Sequence, residues 1–147
     1  MSLQEQLNTA MKEAMRAKDS LRLNAIRLVK TAIKNKEIEA RQEFDDQAVI
    51  GVLSSLVKQR RESAQVYRES NRADLAEKEE RELAVIQEFL PQQLSEEEIK
   101  TIIEAAVAET GAVSARDMGK VMKIVSAKTV GRADGRMVSE LVKARLA

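Results

Sequence analysis

A chain of 147 residues suits one domain or two small ones, and it carries a formal net charge of +1. Because it has no cysteine and no histidine, disulfides, thiolate metal sites and nucleophiles activated by histidine are excluded. Hydrophobic residues make up 44% of the chain and aromatic residues only 2%, which together with a single proline favours an aliphatic core and an all-α fold.

The N-terminus and the hydropathy of the chain predict a location. Met1 to Glu5 are polar, so no signal peptide is expected, and no apolar run approaches the ~20 residues that span a bilayer. The sequence therefore predicts a soluble cytoplasmic protein that does not enter a membrane. No metal and no cofactor are expected, since histidine and cysteine are absent and no nucleotide-binding motif is found.

Four helices are predicted before Pro91, the only proline. The residue before a proline disfavours α geometry, so the fourth helix should end there. This predicts an N-terminal helical domain over residues 1–90, a linker over 91–94 and a C-terminal domain over 95–147. The four helices are expected over about Leu3–Arg16, Asp19–Arg41, Asp45–Ser70 and Asn71–Phe89, with Asp19 as an N-cap.

Three short helices are predicted after the linker, each beginning at a polar residue. Ser95 and Glu98 have the spacing of a capping box, and Gly111 is typical of the residue that follows a helix end. The starts of the two later helices are marked by Ser114 with Asp117, and by Asp134.

The third and fourth helices should form an antiparallel hairpin that turns near residues 71–73. Arg60 lies within the apolar stripe of the third helix, about as far from the turn as Glu82 on the fourth. We expect Arg60 to pair with Glu82 or Glu79 across the hairpin. The alternative is that all three side chains extend outward at its edge.

Charge is unevenly distributed along the chain. Residues 1–72 carry 14 basic and 10 acidic groups, residues 73–110 carry 3 and 11, and residues 111–147 carry 8 and 3. The C-terminal segment is therefore the one that favours a polyanion, although a single basic helix face is usually only a solvated one. Its candidate phosphate-binding residues are Arg116, Lys120, Lys123, Lys128, Arg132 and Arg136.

The second helix has a similar basic face, which we expect opposite its apolar residues Leu21, Ala25, Leu28, Val29 and Ala32. This secondary face consists of Arg27, Lys30, Lys34 and Arg41.

Gly119 lies in the first turns of the sixth helix, where glycine costs roughly 1 kcal/mol relative to alanine. A close helix crossing would explain it, and so would the close approach of an RNA backbone. Gly135 is expected to permit a similar approach, and Asp134 to hold the loop before it by capping. Since bases need aromatic rings to stack on and the chain has almost none, any RNA bound here should be a folded one.

Several segments of the chain, in order along almost its whole length, resemble the GatB/YqeY family and specifically its free-standing YqeY-like members. These segments are Lys58 to Ser63, Tyr67, Arg72 to Ala76, Leu90 to Glu98, Asp117 to Met122, and Ala133 to Gly135 with Val138. The resemblance implies a helical N-terminal bundle followed by a three-helix tail domain. Similar tails belong to the B subunit of the glutamine-dependent aminoacyl-tRNA amidotransferase, a carbon–nitrogen ligase, in which the tail engages tRNA.

The chain lacks the catalytic parts of that enzyme, so the resemblance implies RNA binding, particularly through Lys120 and the Ala133 to Gly135 loop, without a catalytic site of its own. A tRNA-binding accessory module is the first hypothesis. The second is a helical protein–protein adaptor that uses the acidic segment 73–110 or an exposed groove of methionine and isoleucine. The third is a non-catalytic subunit of an amidotransferase assembly.

Overall fold

The computed structural model describes residues 1–147 and contains seven α-helices, one 3-10 turn and no strand. The all-α fold predicted from the sequence is confirmed. The chain divides into two compact units, Met1–Leu90 and Pro91–Ala147.

The first unit contains four helices whose ends follow local capping signals. They are α1 (Leu3–Arg16), α2 (Ser20–Ala40), α3 (Asp46–Glu69) and α4 (Ala73–Gln87). Ser2 caps α1 in a full capping box with Glu5, and the carboxylates of Asp19 and Asp45 accept backbone N–H groups in the first turns of α2 and α3. The last helix ends before Pro91, with Glu88 to Leu90 forming turns.

All four helices contribute to the core of the first unit. Because its side chains are almost all aliphatic, the core is built by packing one helix face on another. The fully buried large residues are Leu7, Ile26, Val29, Val49, Leu53 and Ile86. The antiparallel hairpin of α3 and α4 is the most extensive of these packings.

The apolar face of α2 is not the one predicted. Its buried residues are Ala25, Ile26, Val29 and Ile33, whereas Leu28 is 49% exposed. At 100° per residue, the buried face is rotated roughly a fifth of a turn from the predicted stripe. The basic residues of α2 consequently lie beside its buried face and not opposite it, and Lys30 is half-buried with Nζ 3.8 Å from the Met11 sulfur.

The second unit consists of α5 (Glu96–Thr110), a 3-10 turn (Ala115–Asp117), α6 (Met118–Thr129) and α7 (Gly135–Leu146). Gly111 ends α5 with a φ of 69°, a conformation that glycine adopts without strain. The core of the second unit contains side chains from α5, α6 and α7. The fully buried residues are Ile99, Ile103, Ala106, Val121, Val125, Val138 and Val142.

The capping box predicted at the start of α5 is only half formed. The Ser95 hydroxyl oxygen accepts the Glu98 backbone N–H at 3.1 Å, as a capping box requires. The Glu98 carboxylate, however, accepts the Ser95 hydroxyl at 3.2 Å, so it does not return to the Ser95 backbone. Ser114 and Asp117 do form a full box, although it opens the 3-10 turn, and α6 begins only at Met118.

Residues 91–94, predicted as a linker, are part of the second unit. Leu94 packs against its core, and the Leu94 backbone N–H donates to the Arg132 carbonyl at 2.7 Å. The Gln93 amide donates to the Gly131 carbonyl at 3.0 Å. These bonds tie the segment after Pro91 to the loop between α6 and α7.

None of the seven helices combines the length and the apolar character that crossing a membrane requires.

Candidate functional site

Three lysines of α6 are exposed. At 100° per residue, Lys123 lies opposite the fully buried Val121 and Val125, Lys120 lies about a third of a turn from them, and Lys128 lies nearer to their side of the helix. The exposed lysines are Lys120, Lys123 and Lys128.

These lysines line one open groove between α6 and the C-terminal end of α5. Ile124 and Ala127 provide apolar surface in the groove, and Glu109 and Thr110 line it from the α5 side. Salt bridges in the second unit include Lys100 with Glu96 and Arg145 with Glu104, and none of the three groove lysines is in an ion pair. Their charges are therefore available to a ligand.

The other predicted basic residues do not line this groove. Arg116 is exposed in the 3-10 turn that precedes α6. Arg132 is half-buried, and its Nε lies 3.4 Å from the Gln92 carbonyl. Arg136 is exposed in the first turn of α7. The structure thus gathers three of the six predicted cations in the groove.

Gly119 and Gly135 are both exposed, and a Cβ added at either would meet no atom within 4 Å. The close helix crossing that would have explained Gly119 is therefore absent. Gly119 therefore leaves the backbone of α6 uncovered by a side chain next to Lys120.

Two aspartates hold the turns that precede α6 and α7. Asp134 caps α7 by accepting the Arg136 backbone N–H at 3.1 Å. The Asp117 carboxylate accepts the Val113 backbone N–H at 3.0 Å and that of Ser114 at 3.4 Å. The Val113 bond, with the Ser114 bond and the nearby Lys120 charge, lowers the pKa of Asp117 below its ordinary value. Asp117 thereby fixes the turn that directs α6.

Glu109 and Thr110 of the groove were not found from the sequence. Glu109 had one detectable signal: an acidic residue in the last turn of a helix opposes the helix dipole, and α5 has no basic residue there. No signal marked Thr110.

The secondary basic residues of α2 do not form one site either. Arg27, Lys34 and Arg41 are exposed, while Lys30 is half-buried. Lys30 and Lys34 line a cleft of about 740 Å³ whose other walls include the carboxylates of Glu43, Asp45 and Asp46. Because both signs of charge line it, the cleft favours no single class of ligand.

In the α3–α4 hairpin, Arg60 is paired with Glu82. Arg60 Nε lies 3.2 Å from a Glu82 carboxylate oxygen, and the two side chains are 14% and 15% exposed. The Nε–H is buried without an aligned hydrogen bond, so the contact is a charge pair. Glu79, the other candidate, is half-buried on the same helix. This pair lies in the first unit and joins α3 to α4 across the hairpin.

The fold and the groove together define a class: a small all-helical protein with an open groove lined by lysines. The sequence profile of the family described as Yqey-like protein matches residues 4–146. The chain belongs to this family.

Its curated relatives include yeast proteins named altered inheritance of mitochondria protein 41, mitochondrial. The one from Vanderwaltozyma polyspora is 46% identical over 85 residues, which cover 57% of this chain and 46% of the relative. The one from Lachancea thermotolerans is 41% identical over 87 residues, covering 58% and 46%. The one from Kluyveromyces lactis is 37% identical over 84 residues, covering 56% and 45%. The chain spans about half the length of the curated relatives it matches.

These names contradict the cytoplasmic location predicted from the sequence, because each relative is named as a mitochondrial protein. The predicted cytoplasmic location is wrong. It was drawn from the absence of a targeting signal, and such an absence is weak grounds for any one compartment.

Proposed function

We propose that this chain is a tRNA-binding accessory module that uses the groove of its second unit and has no catalytic site of its own. One observation carries the proposal: Lys120, Lys123 and Lys128 line one open groove, and none is in an ion pair. Unpaired lysines on a helix face suit the phosphates of a nucleic acid, where they release counterions on binding.

Two further features support a folded RNA as the ligand. The second unit contains no aromatic residue, so stacking of single-stranded bases is not available to it. The bare backbone at Gly119 admits a sugar–phosphate strand to the surface of α6 beside Lys120. The resemblance of this unit to the tail of the amidotransferase B subunit also supports tRNA, as that tail engages tRNA in its own enzyme.

The test is a tRNA-binding titration by fluorescence anisotropy with Lys120→Glu/Lys123→Glu. We expect affinity to fall at least about tenfold, since two phosphate contacts become repulsions. The matched control is Lys100→Glu/Lys143→Glu, which makes the same charge change in the same unit outside the groove. Equal losses in both variants, or no loss in the first, would reject the groove as the binding site.

A protein adaptor is the second candidate, and the outer face of α2 favours it. Leu28 and Ile38 are 49% and 62% exposed there, and Arg27 and Lys34 lie seven residues apart beside them. Exposed aliphatic residues flanked by basic side chains suit an acidic amphipathic helix.

This candidate is tested by crosslinking in cells, nuclease treatment and mass spectrometry. A crosslinked protein that is lost with Leu28→Glu/Ile38→Glu and kept with Lys120→Glu/Lys123→Glu would favour the adaptor. If no protein is crosslinked, and a parallel sample without nuclease retains tRNA, the adaptor is rejected.

A further inference from the structure

The two walls of the groove differ in charge. The α6 wall carries the three lysines, and the opposite wall is the C-terminal end of α5 with Glu109 and Thr110. A helix C-terminus bears a partial negative charge from its carbonyl groups, and the Glu109 carboxylate adds a full charge to it. A ligand that fits this groove therefore needs an anionic side and a hydrogen-donating side.

Glu109 is costly for a surface that binds only phosphates. The last turn of α5 has no basic residue that would offset the dipole, and Glu109 forms no salt bridge with the lysines across the groove. Its charge opposes the helix dipole and repels any polyanion held by Lys120 or Lys123. A residue that breaks a local rule at a binding surface points to a specific role for it.

The Thr110 hydroxyl group is available to a ligand only as a hydrogen-bond acceptor. It donates to the Ala106 carbonyl at 2.9 Å, which occupies its one proton. The oxygen keeps a free lone pair, and the residue lines the groove next to Glu109.

We propose that the α5 wall recognises the ribose 2′-hydroxyl of the RNA, so that this groove distinguishes RNA from DNA. Phosphates contact the α6 lysines, and the 2′-hydroxyl donates its hydrogen to the Glu109 carboxylate, with the Thr110 oxygen as a second acceptor. DNA offers no such donor, so it meets the same carboxylate only as a repulsive charge. This inference rests on the proposed function, since it assigns the ribose recognition of the same site.

The test compares three probes of one tRNA sequence: the RNA transcript, the same sequence as DNA, and the transcript with 2′-O-methyl groups. The methylated RNA keeps the A-form shape and lacks the 2′ donor, so it separates recognition of the hydroxyl from recognition of shape. We expect the wild-type protein to bind RNA at least about fivefold more tightly than either other probe. With Glu109→Ala, DNA and methylated RNA should bind more tightly, because a repulsive charge is removed. The preference, which is the ratio of the affinity for RNA to the affinity for either other probe, should then fall towards one.

The control is Glu140→Ala, which removes an exposed carboxylate of the same unit outside the groove. It should shift all three affinities equally and leave the preference unchanged. If the wild type binds none of the probes, the proposed function itself is overturned. If it binds all three equally, or if Glu109→Ala keeps the preference, only the ribose assignment is overturned.

Discussion

Arg60 and Arg68 belong to the same helix, and each pairs with a glutamate of α4. The Arg60–Glu82 pair is 14% and 15% exposed, whereas Arg68 and Glu80 are 49% and 47% exposed. Arg68 makes well-aligned hydrogen bonds of 2.7 to 3.0 Å, and Arg60 Nε makes none. The better-aligned hydrogen bonds thus belong to the Arg68–Glu80 pair, whose charges are screened more by water.

Removal of Glu82 should cost more stability than removal of Glu80. Glu82→Ala leaves the Arg60 charge largely buried without a partner, for which we expect a loss of about 1–3 kcal/mol. Glu80→Ala breaks only an exposed pair, worth about 0.2–1 kcal/mol. Urea denaturation midpoints of the two variants measure the difference. Equal midpoints would show that water reaches Arg60 freely, contrary to its burial.

Gly119 allows stability and binding to be separated at one residue. Because a Cβ there would meet no atom, Gly119→Ala should stabilise the protein by about 0.5–1 kcal/mol through the helix propensity of alanine. If the uncovered backbone at Gly119 contacts RNA, the same change should weaken tRNA binding.

Gly51 of α3 provides the matched control, since it is also exposed, helical and without neighbours. Gly51→Ala should stabilise the protein to a similar extent and leave tRNA affinity unchanged. Stability is read from urea midpoints and affinity from anisotropy. Unchanged tRNA affinity with Gly119→Ala would exclude the backbone at Gly119 from the proposed interface.

At the scale of the element, the turn before α6 should lose stability in acid. The backbone hydrogen bonds of Val113 and Ser114 lower the pKa of Asp117 in the folded state, so its stabilising contribution is complete above its unfolded pKa. It is lost as the pH falls through the lowered, folded value. Asp117→Asn should therefore destabilise the second unit near pH 7, and by progressively less below about pH 4.

NMR amide signals of the second unit, followed in urea at neutral and acidic pH, measure this difference. The titration of the Asp117 carboxyl carbon gives the pKa directly. A difference between variant and wild type that stays constant with pH would show that the carboxylate charge does not stabilise the turn.

Helix ends were predictable and helix faces only partly so. Asp19, Ser95 and Asp134 mark starts because a side-chain oxygen and a nearby N–H act within a single turn. The face of α2 was misplaced because Leu28 and Ile33 both satisfy helical spacing, and packing against other helices decides between them. A capping box needs a side-chain direction as well as a spacing, which explains why Glu98 turned to the Ser95 hydroxyl.

The predicted interface was limited in the same way. Lys120 and Lys123 were found because both lie on one short helix, whose geometry fixes their relative position. Arg132 and Arg136 follow in a loop and another helix, where sequence spacing does not fix direction. Glu109 lies far from them in sequence and reaches the groove only through the packing of α5 on α6.

For the whole molecule, the salt dependence of tRNA binding reports how many cations take part. Each phosphate contact contributes about 0.7–0.9 to the slope of log affinity against log salt. The three groove lysines alone predict a slope of about −2 to −3, whereas all six predicted cations would give about −4 to −5. Titrations over a range of salt concentrations measure this slope. A slope near zero would contradict phosphate binding altogether.

The distribution of aromatic residues has a practical consequence for the two units. Phe44, Tyr67 and Phe89 all lie in the first unit, and the chain has no tryptophan. Tyrosine emission therefore follows the opening of the first unit alone, while far-ultraviolet circular dichroism follows the helices of both. Overlaying the two melting curves will reveal, without any label, whether the two halves of the chain come apart together or one after the other.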